Sequence, residues 1–192
     1  MDYPTKTRLI LPFKGAWIVS NGGQDPEKNS HNRLDGPKNQ LYAYDFRKPS
    51  HGDEETLKDF PSFGEEVIAP ADGVITQVID GSIDVSPGER DRSVGVGNAI
   101  IIDHQNGEWS LLCHFKYQSI GVKVGDQVKQ GEVLGLCGNT GNTSQPHIHF
   151  NLQDGPLMHK AEGLPVQFRE IKVNGEIKNN FEATRGDEIS NP

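Results

Sequence analysis

The chain has 192 residues, 33% of them hydrophobic, and a formal net charge of -8, which suits one domain with a proper core. Its acidic balance and lack of a Lys/Arg cluster exclude a duplex nucleic-acid binder, which must neutralise phosphates. No run approaches the roughly 18 apolar residues of a membrane span, and residues 9–13 are too short for a signal-peptide core.

With 22 Gly and 12 Pro, no stretch holds a long helical period, and many short strands joined by turns are expected. Residues 9–13 and 16–19 read as a first strand interrupted at Pro12 and Gly15 and closed by Asn21-Gly22-Gly23. Residues 24–40 are polar and irregular and contain His31 and Asp35. In Leu41-Tyr42-Ala43-Tyr44-Asp45-Phe46, alternation predicts Tyr42, Tyr44 and Phe46 on one face, with Ala43 and Asp45 on the other. A carboxylate inside so aromatic a strand needs a partner, and a cation is a candidate.

Residues 48–64 read as a surface excursion with at most one helical turn near 54–58. Residues 66–78 follow as strand, tight turn, strand. Residues 80–96, with Glu89-Arg90-Asp91-Arg92, form a second solvated excursion. Residues 97–104 and 109–115 flank an Asn106-Gly107 hairpin turn. There His114 is expected on the face of Leu112, opposite Cys113 and Phe115, while His51, His104 and His159 are expected at the surface.

Residues 122–135 carry a punctuated hairpin pattern that leads into the turn-rich run 136–146. In His147-Ile148-His149-Phe150-Asn151, alternation puts His147, His149 and Asn151 on one face and Ile148 and Phe150 on the other. Two imidazoles on one strand face can serve as metal ligand and proton-transfer group. Residues 166–173, an Asn174-Gly175 turn and a return strand end the patterned chain, and residues 182–192 are expected to fray. Cys113 and Cys137 sit in apolar strands and read as buried free thiols.

Taken in order, these segments resemble the lysostaphin-type (LytM-like) zinc metalloendopeptidases. The resemblance is carried by His31 with Tyr42-Ala43-Tyr44-Asp45-Phe46, by Val67-Ile68-Ala69-Pro70-Ala71-Asp72-Gly73-Val74, and by Gly97-Asn98 with Ile102-Asp103-His104. It continues through Leu112-Cys113-His114-Phe115, residues 124–131, Gly138-Asn139-Thr140-Gly141 and Pro146-His147-Ile148-His149-Phe150.

The resemblance implies an all-β fold: a folded antiparallel sheet, akin to the biotinyl/lipoyl folds, with a substrate groove on one face. A single domain over residues 1–181 is expected, with its core at about 9–172 and residues 182–192 as a polar tail. The loops at 24–40, 48–64 and 80–96 are expected to wall the groove. One Zn2+ per chain would be held by His31, Asp45 and His149, leaving a fourth position for water. His114 and His147 would be catalytic, and the substrate would be a peptide of bacterial peptidoglycan. An extracellular or periplasmic location and a monomeric state are implied. The first histidine and aspartate stand fourteen apart rather than the four usual in the best-known members, with Asp35 a rival ligand in the same loop. Leu112 stands where a tyrosine is usual and Gln145 where a glycine is, which bears on substrate choice more than on the chemistry. The alternative from another class is a non-catalytic LytM-like zinc-binding module that regulates another cell-wall hydrolase.

Overall fold

A computed structural model describes residues 3–33 and 35–192. The first two residues of the expected domain and Leu34 of the His31 loop lie outside the described residues. The strands are β1 Trp17–Asn21, β2 Tyr44–Arg47, β3 Glu66–Ile68, β4 Gly73–Ile79, β5 Ala99–Asp103, β6 Trp109–Cys113 and β7 Gln127–Val128. They continue as β8 Val133–Leu136, β9 Ile148–Gln153, β10 Gly163–Leu164, β11 Phe168–Val173, β12 Glu176–Phe181 and β13 Glu188–Ser190. The helical content described is two 3-10 turns, Lys38–Gln40 and Leu57–Asp59. This is the expected all-β, antiparallel fold.

One sheet runs β12-β11-β13-β1-β2-β9-β6-β5-β4-β7, with β10 also on β9, and β3 and β8 pair separately. Period-two alternation sorts its side chains onto two faces. Ile100, Ile102, Leu112, Ile148, Phe150 and Leu152 point into the main core with Trp17, Tyr44, Phe46 and Phe168. Ala99, Ile101, Leu111 and Cys113 form a smaller cluster on the opposite face. Across that second face Asp45 pairs with His149 and His149 with Cys113, so the three form one rung over β2, β9 and β6. The face that lacks the large core is thus the face that carries the polar rung.

Several local expectations fail for identifiable reasons. Residues 9–13 form no strand. Leu9, Leu11 and Phe13 are buried in an irregular segment tied to Pro70 and Asn191, which meets β3 only through the Ile68 N–H to the Pro12 carbonyl and a single Phe13–Val67 bridge. Tyr42 has a φ of 61°, which breaks the alternation before β2 begins. β3 and β4 do not pair with each other, nor do β7 and β8. β3 takes β8, while β4 lies between β5 and β7, so apparent hairpins are split between two sheets. The 99–113 and 168–181 hairpins do form as expected.

The 182–192 segment does not fray. It supplies β13 between β1 and β11 and buries Ala183 and Ile189. Both cysteines are buried free thiols, in different clusters. His51 and His159 are exposed as expected, but His104 is half-buried. Its Nδ1 bonds the Asp72 carbonyl at 2.8 Å and its Nε2 the Ser110 hydroxyl at 2.7 Å, pinning β5 and β6 to the turn before β4.

Candidate metal centre and its cleft

The rung of β2 and β9 supplies the first two groups of the site. Tyr44 and Phe46 anchor β2 in the core, so Asp45 is forced to the other face; Ile148 and Phe150 do the same for His149 on β9. Asp45 Oδ1 lies 2.9 Å from His149 Nδ1, and Asp45 Oδ2 lies 2.9 Å from His31 Nε2. The ring centroids of His31 and His149 are 5.1 Å apart, edge to face. One donor atom from each of His31, Asp45 and His149 falls within a 4.8 Å span, and the same holds for His114, His147 and His149.

His31 comes from a loop, and asparagines hold that loop. The fully buried Asn29 donates through Nδ2 to the carbonyls of Gly23 and Ala43, and its Oδ1 accepts the His31 N–H at 3.0 Å. Asn32 ties Gly23 to Tyr42, and Asn21 Nδ2 donates to Asp45 Oδ2 at 2.9 Å. Sequence reasoning missed these positioning residues. The Asn-x-His spacing of residues 29–31, typical of a side chain that caps the backbone two residues on, was the available signal. Asp35, the rival ligand, is 76% exposed in its side chain and pairs with Arg33, away from the site.

His114 enters from just past β6 and not by strand alternation. Its φ of 66° turns it away from the core, where Leu112 and Phe115 both lie, so it does not share the face of Leu112. Its Nδ1 is 2.7 Å from the Thr140 carbonyl. His147 Nδ1 is likewise 2.8 Å from the Gln145 carbonyl, with the Thr143 hydroxyl at 3.0 Å. A carbonyl only accepts, so both rings carry their proton on Nδ1 and, when neutral, offer an Nε2 lone pair. The two rings lie 4.7 Å apart, and His147 Nε2 is 3.4 Å from Asp45 Oδ1.

Electrostatics separates the members. For Asp45, burial favours the neutral acid, but His147, His149 and His31 outweigh it and hold the carboxyl well below its usual range. Burial pushes His114 well below the ordinary histidine value, helped by His147 and His149. Burial also lowers His149, only partly offset by Asp45. For His147, burial is overcome by the Asp45 charge and hydrogen bond, and its pKa is raised. Burial likewise raises the Cys113 thiol far above its usual value, so it stays protonated beside the site.

These groups floor a cleft of about 490 Å³, also lined by Ser30, Arg47, Arg90, Gly95, Val96 and residues 142–145. The loops at 24–40 and 80–96 wall it as expected. The 48–64 loop does not; it buries Phe60 and Ser62 and is replaced as a wall by the turn at 142–145. Chemically, two imidazoles and an ionised carboxylate suit a zinc ion with positions left open, and the Nε2 atoms of His114 and His147 suit proton transfer. No described helix is long and apolar enough to cross a membrane.

The chain is similar to known proteins over part of its length. It is 37% identical over 105 residues to the DD-carboxypeptidase/endopeptidase Mpg of Neisseria meningitidis, covering 54% of this chain and 21% of that protein. It is 39% identical over 56 residues to the peptidoglycan DD-endopeptidase ShyA of Vibrio cholerae, covering 29% of this chain and 13% of that one. The chain thus spans about a fifth or less of these relatives. Its fold matches the catalytic domain of the prophage-encoded M23 protein EnpA from Enterococcus faecalis with a TM-score of 0.53 at 22% identity, over 81% of this chain and 93% of that one. The model of peptidase family M23 matches residues 58–162, a span that holds His114, His147 and His149 while His31 and Asp45 precede it. That span is more than half of the chain, and the chain belongs to peptidase family M23.

Proposed function

We propose that this chain is a zinc-dependent endopeptidase that hydrolyses peptide bonds of bacterial peptidoglycan, outside the cytoplasmic membrane, as a monomer with one zinc. The observation that carries the reading is the approach of His31 Nε2 and His149 Nδ1 to the two oxygens of one buried carboxylate, Asp45, each at 2.9 Å. An ionised carboxylate held among imidazoles in a half-closed cleft calls for a cation. The His31, Asp45 and His149 set is preferred over His114, His147 and His149 because it uses that charge and leaves two imidazoles free. The names of the Neisseria and Vibrio relatives, a DD-carboxypeptidase/endopeptidase and a peptidoglycan DD-endopeptidase, support the substrate class.

Bound there, zinc would polarise the scissile carbonyl and bring the pKa of a water to about 7. His114 and His147, with Nδ1–H fixed on backbone carbonyls, would take up the water's proton at Nε2 and return one to the leaving amine. As imidazoliums they would also steady the developing oxyanion. Asn21 would keep the Asp45 carboxylate aligned, and Asn29 would keep the His31 backbone in place.

The test is digestion of purified peptidoglycan read by mass spectrometry, with zinc-loaded protein, metal-stripped protein and His114→Ala side by side. Zinc-dependent release of defined fragments, absent with His114→Ala, is the expected result. Zinc-loaded protein that releases no fragment would sink the peptidase reading and favour a non-catalytic zinc-binding module.

A further inference from the structure

The chain carries 27 acidic residues against 19 Lys and Arg, yet its cleft has the opposite balance. Among the residues that line it, Asp45 is the sole carboxylate, and Arg47 and Arg90 stand on its walls. Asp45 cannot serve as their counter-charge, because its two oxygens are taken up by His31, His149 and Asn21. The arginines therefore face the cleft without an acid of their own.

Arg47 is placed by β2. Tyr44 and Phe46 are buried in the core, so Arg47 follows Asp45 onto the cleft face. The register pairs Asp45 with His149 and Phe46 with Ile148, which brings Arg47 level with His147. Arg47 is half-buried and makes no side-chain hydrogen bond or ion pair with a described residue, whereas its neighbour Lys48 pairs with Glu65 at 2.8 Å. With no acceptor among the described residues, its guanidinium is available to pair with an anion that enters the cleft.

Arg90 reaches the same end of the cleft from the 80–96 loop. That loop is laced to the turn before His147 by Val85 N–H to the Asn139 carbonyl, Gly88 N–H to the Ser144 carbonyl and Asp91 N–H to the Gly141 carbonyl. The guanidinium spends one donor on a neutral acceptor, the Ser144 hydroxyl at 3.2 Å. Its other donors remain for a ligand, and the planar fork of arginine fits a carboxylate with two parallel bonds.

We propose that Arg47 and Arg90 form a carboxylate-recognition subsite at the His147 end of the cleft, selecting peptides that carry a free carboxylate beside the scissile bond. This rests on the peptidase reading above and narrows its substrate class. The carboxylate is either the terminal one of a stem peptide or an acidic side chain next to the cleaved bond.

The test uses the zinc-loaded chain with native peptidoglycan and with peptidoglycan whose carboxyls are converted to amides by carbodiimide and ammonia. Both are followed by digestion and by co-sedimentation, for the wild type, Arg47→Gln, Arg90→Gln and an Arg92→Gln control outside the cleft. Amidation is expected to weaken binding and cleavage by about 10-fold to 100-fold, the scale of a charge-assisted hydrogen-bonded pair. Each cleft variant is expected to lose a similar factor on native polymer and little on amidated polymer, with the control unchanged. Non-specific electrostatics predicts the reverse, since a protein of charge -8 repels the native polymer more. Equal binding of native and amidated polymer, or loss by the variants on both alike, overturns the subsite. Preferential binding to native polymer without cleavage supports the subsite and sinks the peptidase reading. A synthetic peptide spanning the identified bond, amidated either at its C-terminus or at its side chain, then assigns which carboxylate is read.

Discussion

Asp45 and His149 are directly opposed partners of β2 and β9, 104 positions apart in the chain, with Asp45 Oδ1 2.9 Å from His149 Nδ1. The pair is set by the sheet, whereas His31 joins it from a loop held by asparagine side chains. A cation at this junction would cross-link a loop to the middle of the sheet.

Removing zinc should therefore lower stability as well as activity. A ligand at about 1,000 times its Kd contributes roughly 4 kcal/mol, which for a chain of this size is about 10 °C in Tm. Zinc-loaded protein should melt about that much higher than protein stripped with a chelator, and Asp45→Asn should bind zinc at least about 100-fold more weakly. Because imidazoles bind metal only when neutral, uptake should weaken in acid. Calorimetric melts and metal analysis after dialysis measure each; an unchanged Tm on stripping would refute the cross-link.

His114→Ala and His147→Ala should separate chemistry from metal binding. Neither side chain belongs to the proposed ligand set, and removing a proton-transfer group costs about 100-fold to 10,000-fold in turnover. Both variants should retain close to one zinc per chain while losing cleavage by that factor. If either loses its zinc instead, the His114, His147 and His149 group is the true ligand set.

The reach of sequence reasoning follows from which forces are local. Alternation in residues 147–151 was legible because β9 is a central strand with His147 and His149 at the cleft and Ile148 and Phe150 in the core. Alternation failed at Tyr42 and His114, since positive φ at a non-glycine residue leaves no mark in a hydrophobic pattern. It also placed strands without naming their partners. The β3–β8 and β4–β7 pairs join segments distant in sequence, and adjacency had suggested hairpins instead. The C-terminal β13 was missed because Ile189 is its only buried residue, too few for a periodic signal.

Gly97 tests the backbone that orients His114. It has a φ of 64°, and a Cβ there would stand 2.4 Å from the Thr140 carbonyl oxygen, the atom that His114 Nδ1–H contacts at 2.7 Å. Gly97→Ala combines left-handed strain of about 1–2 kcal/mol with a backbone clash of similar or larger size. A loss of about 2–4 kcal/mol in denaturant melts is expected, together with reduced kcat at retained zinc. A variant of wild-type stability and turnover would show that the backbone at Gly97 accommodates a Cβ without displacing the Thr140 carbonyl from the His114 ring.

The N-terminal segment is held by Thr5 bonds to Pro165 and Gln167 and by one buried carboxylate, Glu108. Glu108 is fully buried and accepts hydrogen bonds from the Tyr3 hydroxyl, the Lys6 N–H and the Thr7 N–H and hydroxyl. Burial alone would raise its pKa, but these donors outweigh burial and hold it below the usual value. A depressed carboxylate binds fewer protons folded than unfolded, so its contribution is complete above the unfolded value of about 4.3 and is lost as pH falls through the folded one. Glu108→Gln removes the charge from four hydrogen bonds and should cost about 1–3 kcal/mol at pH 7. The deficit should narrow as pH falls below about 4.3, where the unfolded wild-type side chain takes up a proton, and close as pH falls through the lowered folded value. Urea titrations at a series of pH values measure both curves, and a deficit that stays constant into acid would mean that shape, not charge, is what Glu108 contributes.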